Sequence, residues 1–359
     1  MRPYAAGPSQ PAEEESEAAG RMVRLASNEN PLGPSPLALR KLRGAVETAH
    51  LYPDADSLAL RKAISDKFGF PAERVIVGNG SDEIIRLLGS ILIDRPDDEV
   101  LMADPSFVVY ESVANIAPCR LVKVSLNDRY EHDLPAMARK LNERTRIVFL
   151  ANPNNPTGTI VRREEVEGFL GDAPDSALVV LDEAYFEFAD GEPGYPNGLE
   201  FVRERSNVVA LRTFSKAYGL AGLRCGYGFA PTEVADAIES VRQPYHVNSL
   251  AQAACVEALK DDEHLRRTVE ANSKGIRRLS EAFRQIGAEP CESFANFVFA
   301  DLGRPAKPIC EALRTRGVAV RDGALFGCPN CMRVTVGSEE EIAAFADALE
   351  HVVSDAERV

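Results

Sequence analysis

A chain of 359 residues, 45% hydrophobic and 27% charged, has enough surface to bury a large core and is long enough for two domains. Its 41 Lys and Arg against 55 Asp and Glu leave a net charge of −14, which argues against nucleic acid or an anionic membrane surface as a partner. No apolar run approaches the roughly 18 residues needed to cross a bilayer.

Residues 1–22 read as a poorly ordered arm carrying the acidic run Glu13-Glu14-Glu15. They lack a basic segment followed by an apolar one, so the expected location is cytoplasmic. Residues 25–36 form a turn-rich stretch with three prolines. Ser35 and Pro36 make an N-cap and first-turn pair for an amphipathic helix through Leu37, Leu42, Val46 and Ala49. A second helix is predicted from about Leu58 to Phe68, closed by Gly69. From Pro71 onward, short apolar runs alternate with helical stretches at the spacing of a parallel α/β sheet. The runs are Val75–Val77, Val100–Met102, Leu121–Val124, Ile147–Leu150, Leu178–Leu181 and Val208–Leu211. Cys225–Ala230 reads as a further strand, antiparallel at an edge.

The pattern changes after about residue 245. Helices are predicted over about 249–260 and 264–286, then a strand at Phe297–Phe299 and a helix from Pro308 to Arg316. Strands follow at Val318–Arg321 and Met332–Val336, and a last helix opens at Ser338 with Glu341 completing a capping box. The expected division is an arm (1–34) packed on the small domain, a large domain (35–245) and a small α+β domain (246–359).

Seven scattered cysteines, an odd number, fit free thiols in a reducing compartment. Cys328-Pro329-Asn330-Cys331 has Cys-x-x-Cys spacing, but the five histidines do not cluster around it and it precedes a strand rather than opening a helix. It reads as an incidental loop pair, and no metal site is expected.

Four clusters lie at the carboxyl ends of predicted strands, where open α/β sheets hold their ligands. Gly78-x-Gly80-Ser81-Asp82 stands at a strand-to-helix junction, where backbone N–H groups favour an anion. It is neither a dinucleotide fingerprint, since Glu83 replaces the third glycine, nor a P-loop. Asn152-Pro153-Asn154-Asn155-Pro156-Thr157-Gly158 forbids helix and presents the Asn155 amide. Asp182 puts a carboxylate at the mouth of a buried strand, costly unless it is paired, and Tyr185 follows three residues later. A magnesium-binding Walker-B aspartate fails for want of a P-loop. Thr213, Ser215, Lys216 and Arg224 complete the set: two hydroxyls, an amine and a guanidinium. A phosphate, a pyridine nitrogen, a phenolic oxygen and an aldehyde on one cofactor match these groups, which points to pyridoxal 5'-phosphate.

With these motifs in place the chain resembles the fold-type I PLP-dependent aminotransferases, and within them most closely the histidinol-phosphate branch. The residues carrying the resemblance are Ser27-Asn28-Glu29-Asn30-Pro31, Tyr52-Pro53-Asp54, Asn154–Gly158, Asp182–Tyr185, Thr213–Arg224 and Met332–Gly337. They span nearly the whole chain in the family's order. The resemblance implies a large domain with a mainly parallel sheet flanked by helices, plus a smaller α+β C-terminal domain. It implies that Lys216 binds the cofactor aldehyde, Asp182 pairs with the pyridinium nitrogen, and Asn155 and Tyr185 bond the phenolic oxygen. Phe107 falls where the family stacks a ring on the cofactor. Gly80, Ser81, Asp82, Thr213, Ser215 and Arg224 fall at its phosphate. Tyr52 would reach the phosphate of the neighbouring subunit, so a homodimer with shared sites is implied. Arg321 and Arg333 fall at the substrate's anionic end, with Asn155 beside them, and Tyr4 matches a substrate-contacting tyrosine of the arm. The implied reaction is transamination of L-histidinol phosphate with 2-oxoglutarate, giving imidazole acetol phosphate and glutamate. An aromatic amino acid aminotransferase and a PLP-dependent lyase such as a phosphothreonine decarboxylase stand as alternatives.

Overall fold

The computed structural model describes residues 22–357. Among the described residues thirteen strands occur in chain order: β1 (Val23–Arg24), β2 (Val75–Gly78), β3 (Glu99–Asp104), β4 (Arg120–Ser125), β5 (Thr145–Ala151), β6 (Leu178–Asp182), β7 (Val208–Thr213), β8 (Gly226–Phe229), β9 (Glu289–Pro290), β10 (Phe297–Asp301), β11 (Val318–Ala319), β12 (Arg321–Asp322) and β13 (Cys331–Thr335). Seven of them form one sheet in the order β2-β8-β7-β6-β5-β3-β4. Pairing is parallel from β7 to β4, while β8 runs antiparallel to both β7 and β2. The Cys225–Ala230 run is therefore antiparallel as expected but sits inside the sheet, and β2 takes that edge. Its glycines explain the position: at Gly226 and Gly228 a Cβ would meet neighbouring backbone at 2.3 Å and 2.8 Å.

Both faces of this sheet are buried, which is why its strands are continuous apolar runs. The side-chain period of two divides them between two cores. Val148, Leu150, Val179, Leu181, Val208 and Ala210 join one core, and Ile147, Phe149, Leu178, Val180, Val209 and Leu211 join the other. That alternation also assigns the polar residues at the strand ends. Asp182 continues the Leu178–Val180 face and Thr213 the Val209–Leu211 face, so the two lie on one side. Arg212 and Glu183 fall on the opposite side, where they pair at 2.9 Å with almost no exposure.

The smaller sheet is antiparallel, in the order β12-β13-β10-β9. The run 318–321 is not one strand: Val318–Ala319 pairs in parallel with β1, and Arg321–Asp322 pairs with β13. The chain leaves one ladder for the other at Val320. Leu25, just after β1, is buried in the core shared with Leu279, Phe283, Val334 and Phe345, which ties the start of the described chain to this sheet. The inner face of the helix Ser249–Ala258 (Ala251, Ala254, Cys255) belongs to the large-sheet core, beyond the expected division near Tyr245. The helix Asp262–Gln285 then crosses from that core, near Leu265, to the small one at Leu279 and Phe283. The last helix, Glu339–Glu357, opens with the expected capping box: Glu341 N–H donates to Ser338 Oγ at 3.2 Å and Ser338 N–H to Glu341 Oε2 at 2.8 Å.

Candidate active site

A cavity of about 1070 Å³ opens between the carboxyl ends of the large-sheet strands and the small sheet. Lining it are Ser81, Asp82, Phe107, Asn155, Asp182, Tyr185, Thr213, Ser215, Lys216, Arg224, Arg321 and Arg333, which gathers nearly every residue singled out from the sequence. Tyr52 lies elsewhere, 82% exposed and stacked on Tyr245 at 4.6 Å between ring centroids. Tyr4 lies outside the described residues.

On the floor, Asp182 is 4% exposed. Burial pushes its carboxyl up to about 6, against the stabilising hydrogen bonds of the Tyr110 hydroxyl (2.7 Å) and the Ala184 N–H (3.2 Å). These donors are neutral, so a cationic ring N–H brought to this carboxylate supplies the counter-charge it lacks. Tyr110 was not anticipated from the sequence. Its signal was weak: an aromatic three residues beyond Phe107, in the turn after β3.

Lys216 extends from the segment after β7, and its Nζ donates to the Ser27 carbonyl at 3.3 Å. Desolvation first, and the nearby Arg333 charge second, lower its amine to about 8. A lysine held there keeps a neutral fraction near physiological pH that an ordinary lysine lacks, as a nucleophile or proton carrier needs.

The anion cradle is built from close approaches. Gly80 has φ +79°, and a Cβ there would lie 2.5 Å from Arg224 Nη2; one on Gly226 would lie 2.3 Å from Ser81 N. Only bare backbone lets Arg224 and β8 approach the start of the helix Ser81–Leu92 this closely. Arg224 Nη1 reaches Ser215 Oγ at 3.5 Å, and Nη2 lies 3.5 Å from Asp82. Thr213 Oγ1 accepts from the Ser215 N–H at 3.1 Å and so braces the hydroxyl beside it.

The third wall comes from the small sheet. β12 and β13 pair Arg321 directly with Arg333, and both side chains are buried. Like charges directly opposed across a ladder are unfavourable, so an anion bound between them would be stabilised. Arg333 is further fixed by Asn155 Oδ1 at 2.6 Å and the Ala26 carbonyl at 2.8 Å. Its guanidinium carbon lies 5.2 Å from the centre of the Phe297 ring and 5.3 Å from that of Phe326. Asn28 was legible only as part of a motif. It donates to the Tyr185 hydroxyl at 2.8 Å through Nδ2 and to Thr335 Oγ1 at 2.9 Å through its N–H, linking the arm, the large sheet and β13.

The residues present fit pyridoxal 5'-phosphate: an anion cradle shaped by glycine, a desolvated amine, and a buried carboxylate short of a cation share one cavity. The sequence matches the family model for aminotransferase class I and II over residues 20–349. The chain belongs to this aminotransferase family. A histidinol-phosphate aminotransferase of Moorella thermoacetica is 44% identical over 99% of this chain and 91% of its own length. A second, from Carboxydothermus hydrogenoformans, is 43% identical over 98% and 97%. Among solved structures, the histidinol-phosphate aminotransferase of Sinorhizobium meliloti, in complex with pyridoxal-5'-phosphate, superposes with a TM-score of 0.89 at 28% identity, covering 97% of this aminotransferase and 96% of that chain.

Proposed function

We propose that this aminotransferase uses pyridoxal 5'-phosphate to move the amino group of L-histidinol phosphate to 2-oxoglutarate. The observation that carries the choice of donor is the Arg321–Arg333 cross-strand pair, which presents two guanidinium groups to one anionic end of the substrate. Relatives of 43–44% identity over nearly the whole chain bear the name of this activity.

When bound, the cofactor supplies an aldehyde for amines and a protonated ring that withdraws electrons from the substrate's Cα–H bond. The chain's own residues do the rest. Arg224, Ser215 and the N–H groups at the start of the helix Ser81–Leu92 hold the phosphate, and Thr213 orients Ser215. Asp182 keeps a proton on the ring nitrogen. Phe107 would pack against the cofactor ring, and Tyr185 and Asn155 would hydrogen-bond its phenolic oxygen. Lys216, increasingly neutral as pH rises past about 8, would serve as the base that takes the Cα proton. Arg321 and Arg333 orient the donor, and the Asn155–Arg333 bond couples that grip to the cofactor side of the cavity.

The assembly in this reading is a homodimer in the cytoplasm. Tyr52, Leu51 and Leu58 are 82%, 58% and 63% exposed, an apolar face suited to a second copy. Among the described residues no helix is long and apolar enough to cross a membrane.

A half-reaction assay tests the donor. The PLP form is mixed separately with histidinol phosphate, phenylalanine and phosphothreonine while cofactor absorbance and carbon dioxide release are followed. Fast conversion by histidinol phosphate is expected. Fast conversion by phenylalanine alone would assign an aromatic aminotransferase, and carbon dioxide from phosphothreonine a lyase.

A further inference from the structure

The Cys328–Cys331 pair, read from the sequence as incidental, closes the wall that carries both arginines. The Cys331 N–H donates to the Cys328 carbonyl at 3.0 Å, which makes the four residues a β-turn with Pro329 and Asn330 at its centre. A β-turn holds its end Cα atoms within about 7 Å. A disulfide spans Cα atoms roughly 4.4–6.8 Å apart. Cys328 is half-exposed and Cys331 buried, so an attacking sulfur meets solvent with its resolving partner behind it. Donation from Cys331 lowers the Cys328 thiol, while the same contact and burial raise Cys331. A third thiol, Cys291, stands near Cys328, and burial pushes it up to about 12, which keeps it protonated and unreactive.

The turn is attached to the substrate wall at both ends. The Cys328 N–H donates to the Gly323 carbonyl at 3.0 Å and so secures the short turn Gly323–Phe326, whose last ring packs on Arg333. Cys331 begins β13, two residues ahead of Arg333, and its Sγ lies 3.6 Å from the Tyr130 hydroxyl, which donates to Asp301 at 3.1 Å.

We propose that Cys328 and Cys331 form a reversible disulfide by exchange with a low-molecular-weight disulfide, and that the bridge resets the Phe326–Arg333 wall. The Cys328 thiolate attacks one sulfur of R–S–S–R; that bond breaks, and the leaving thiolate takes up the proton Cys328 has lost. Cys331 Sγ then attacks Cys328 Sγ in the mixed disulfide, expels the second thiolate and yields its own proton to it. Two protein thiols are oxidised and one external disulfide is reduced to two thiols. Bridging turns Cys331 Sγ from Tyr130 toward Cys328, which shifts the origin of β13 and the turn holding Phe326. The kinetic consequence rests on the reading that Arg333 binds the donor.

In the test, holoenzyme is equilibrated with glutathione and glutathione disulfide at graded ratios, alkylated, digested and mapped by mass. A Cys328–Cys331 bridge is expected that dithiothreitol removes. Oxidation should raise KM for histidinol phosphate several-fold while changing kcat less. Cys328→Ser should keep the kinetics of the reduced enzyme and be indifferent to oxidant. No Cys328–Cys331 bridge under full oxidation, a bridge through Cys291 instead, or a bridge with unchanged KM overturns the proposal. The peptide map needs no turnover, so failure of the donor reading, in which reduced enzyme does not process histidinol phosphate, is told apart from failure of the bridge.

Discussion

The Tyr110 hydroxyl donates to Asp182 Oδ2 at 2.7 Å, and the same ring stacks on Phe149 at 4.4 Å with planes 1° apart. The carboxylate that faces the cavity is thus aimed by a ring locked into the sheet core. Tyr110→Phe keeps the stacking and removes only the donor. A hydrogen bond to a charged group is worth about 1.5–3 kcal/mol, so turnover should fall by at least about tenfold with the fold intact. Unchanged kcat would mean that Asp182 needs no such support.

The same carboxylate destabilises the cofactor-free protein. Its pKa is raised from 3.8 to about 6 by burial, so between those values the native state binds a proton that the unfolded chain does not. Stability from this group is therefore greatest below about pH 4 and is lost as pH rises through about 6, a difference of about 3 kcal/mol. Asp182→Asn should abolish transamination yet make the apoprotein more stable at pH 7.5 than the parent, and flatten its stability between pH 4 and 6. Urea titrations at pH 5 and pH 7.5 measure this, and an Asn variant less stable at pH 7.5 would contradict it.

Burial lowers the Lys216 amine to about 8, so its reactive neutral form persists where exposed lysines are protonated. Trace acylation of the apoprotein at pH 8, followed by peptide quantification, should label Lys216 ahead of the exposed Lys62. Equal labelling after correction for accessibility would show that the cavity does not tune the amine.

Gly80 and Gly226 keep the cradle open at two points. Gly80 holds φ +79°, which strains any side chain by about 1–3 kcal/mol, and a Cβ there meets the flexible end of Arg224, so Gly80→Ala should lose stability and raise the cofactor Kd about tenfold or more. A Cβ on Gly226 meets the Ser81 and Gly80 backbone, which cannot swing aside. Gly226→Ala should likewise cost about 1–3 kcal/mol of stability and weaken cofactor binding. Thermal unfolding and cofactor titration of both variants decide the matter; parent-like stability and affinity in either would contradict these close approaches.

The strand ends of the site were legible because β-strands bury on both faces. Runs such as Leu178–Leu181 and Val208–Leu211 announced their strands, and the polar residues after them had to lie at the mouth. What escaped depends on distance in sequence. Tyr110 reaches Asp182 across 72 positions, and Asn28 reaches Thr335 across 307. No local pattern encodes such pairs. The interior place of β8 was hidden because the partner on its outer side, β2, lies about 150 residues earlier in the chain, a pairing that no local pattern records. The run 318–321 looked continuous because hydrophobic alternation does not record a change of partner strand.

The central claim is that the Lys216 amine is the attachment point of the cofactor. The direct measurement is borohydride reduction of PLP-loaded protein, then peptide mapping of the fixed pyridoxyl group. A single modified peptide carrying Lys216, absent in Lys216→Ala together with transamination, is the predicted result. A pyridoxyl group on any other lysine, or protein that stays colourless with the cofactor, would contradict the account.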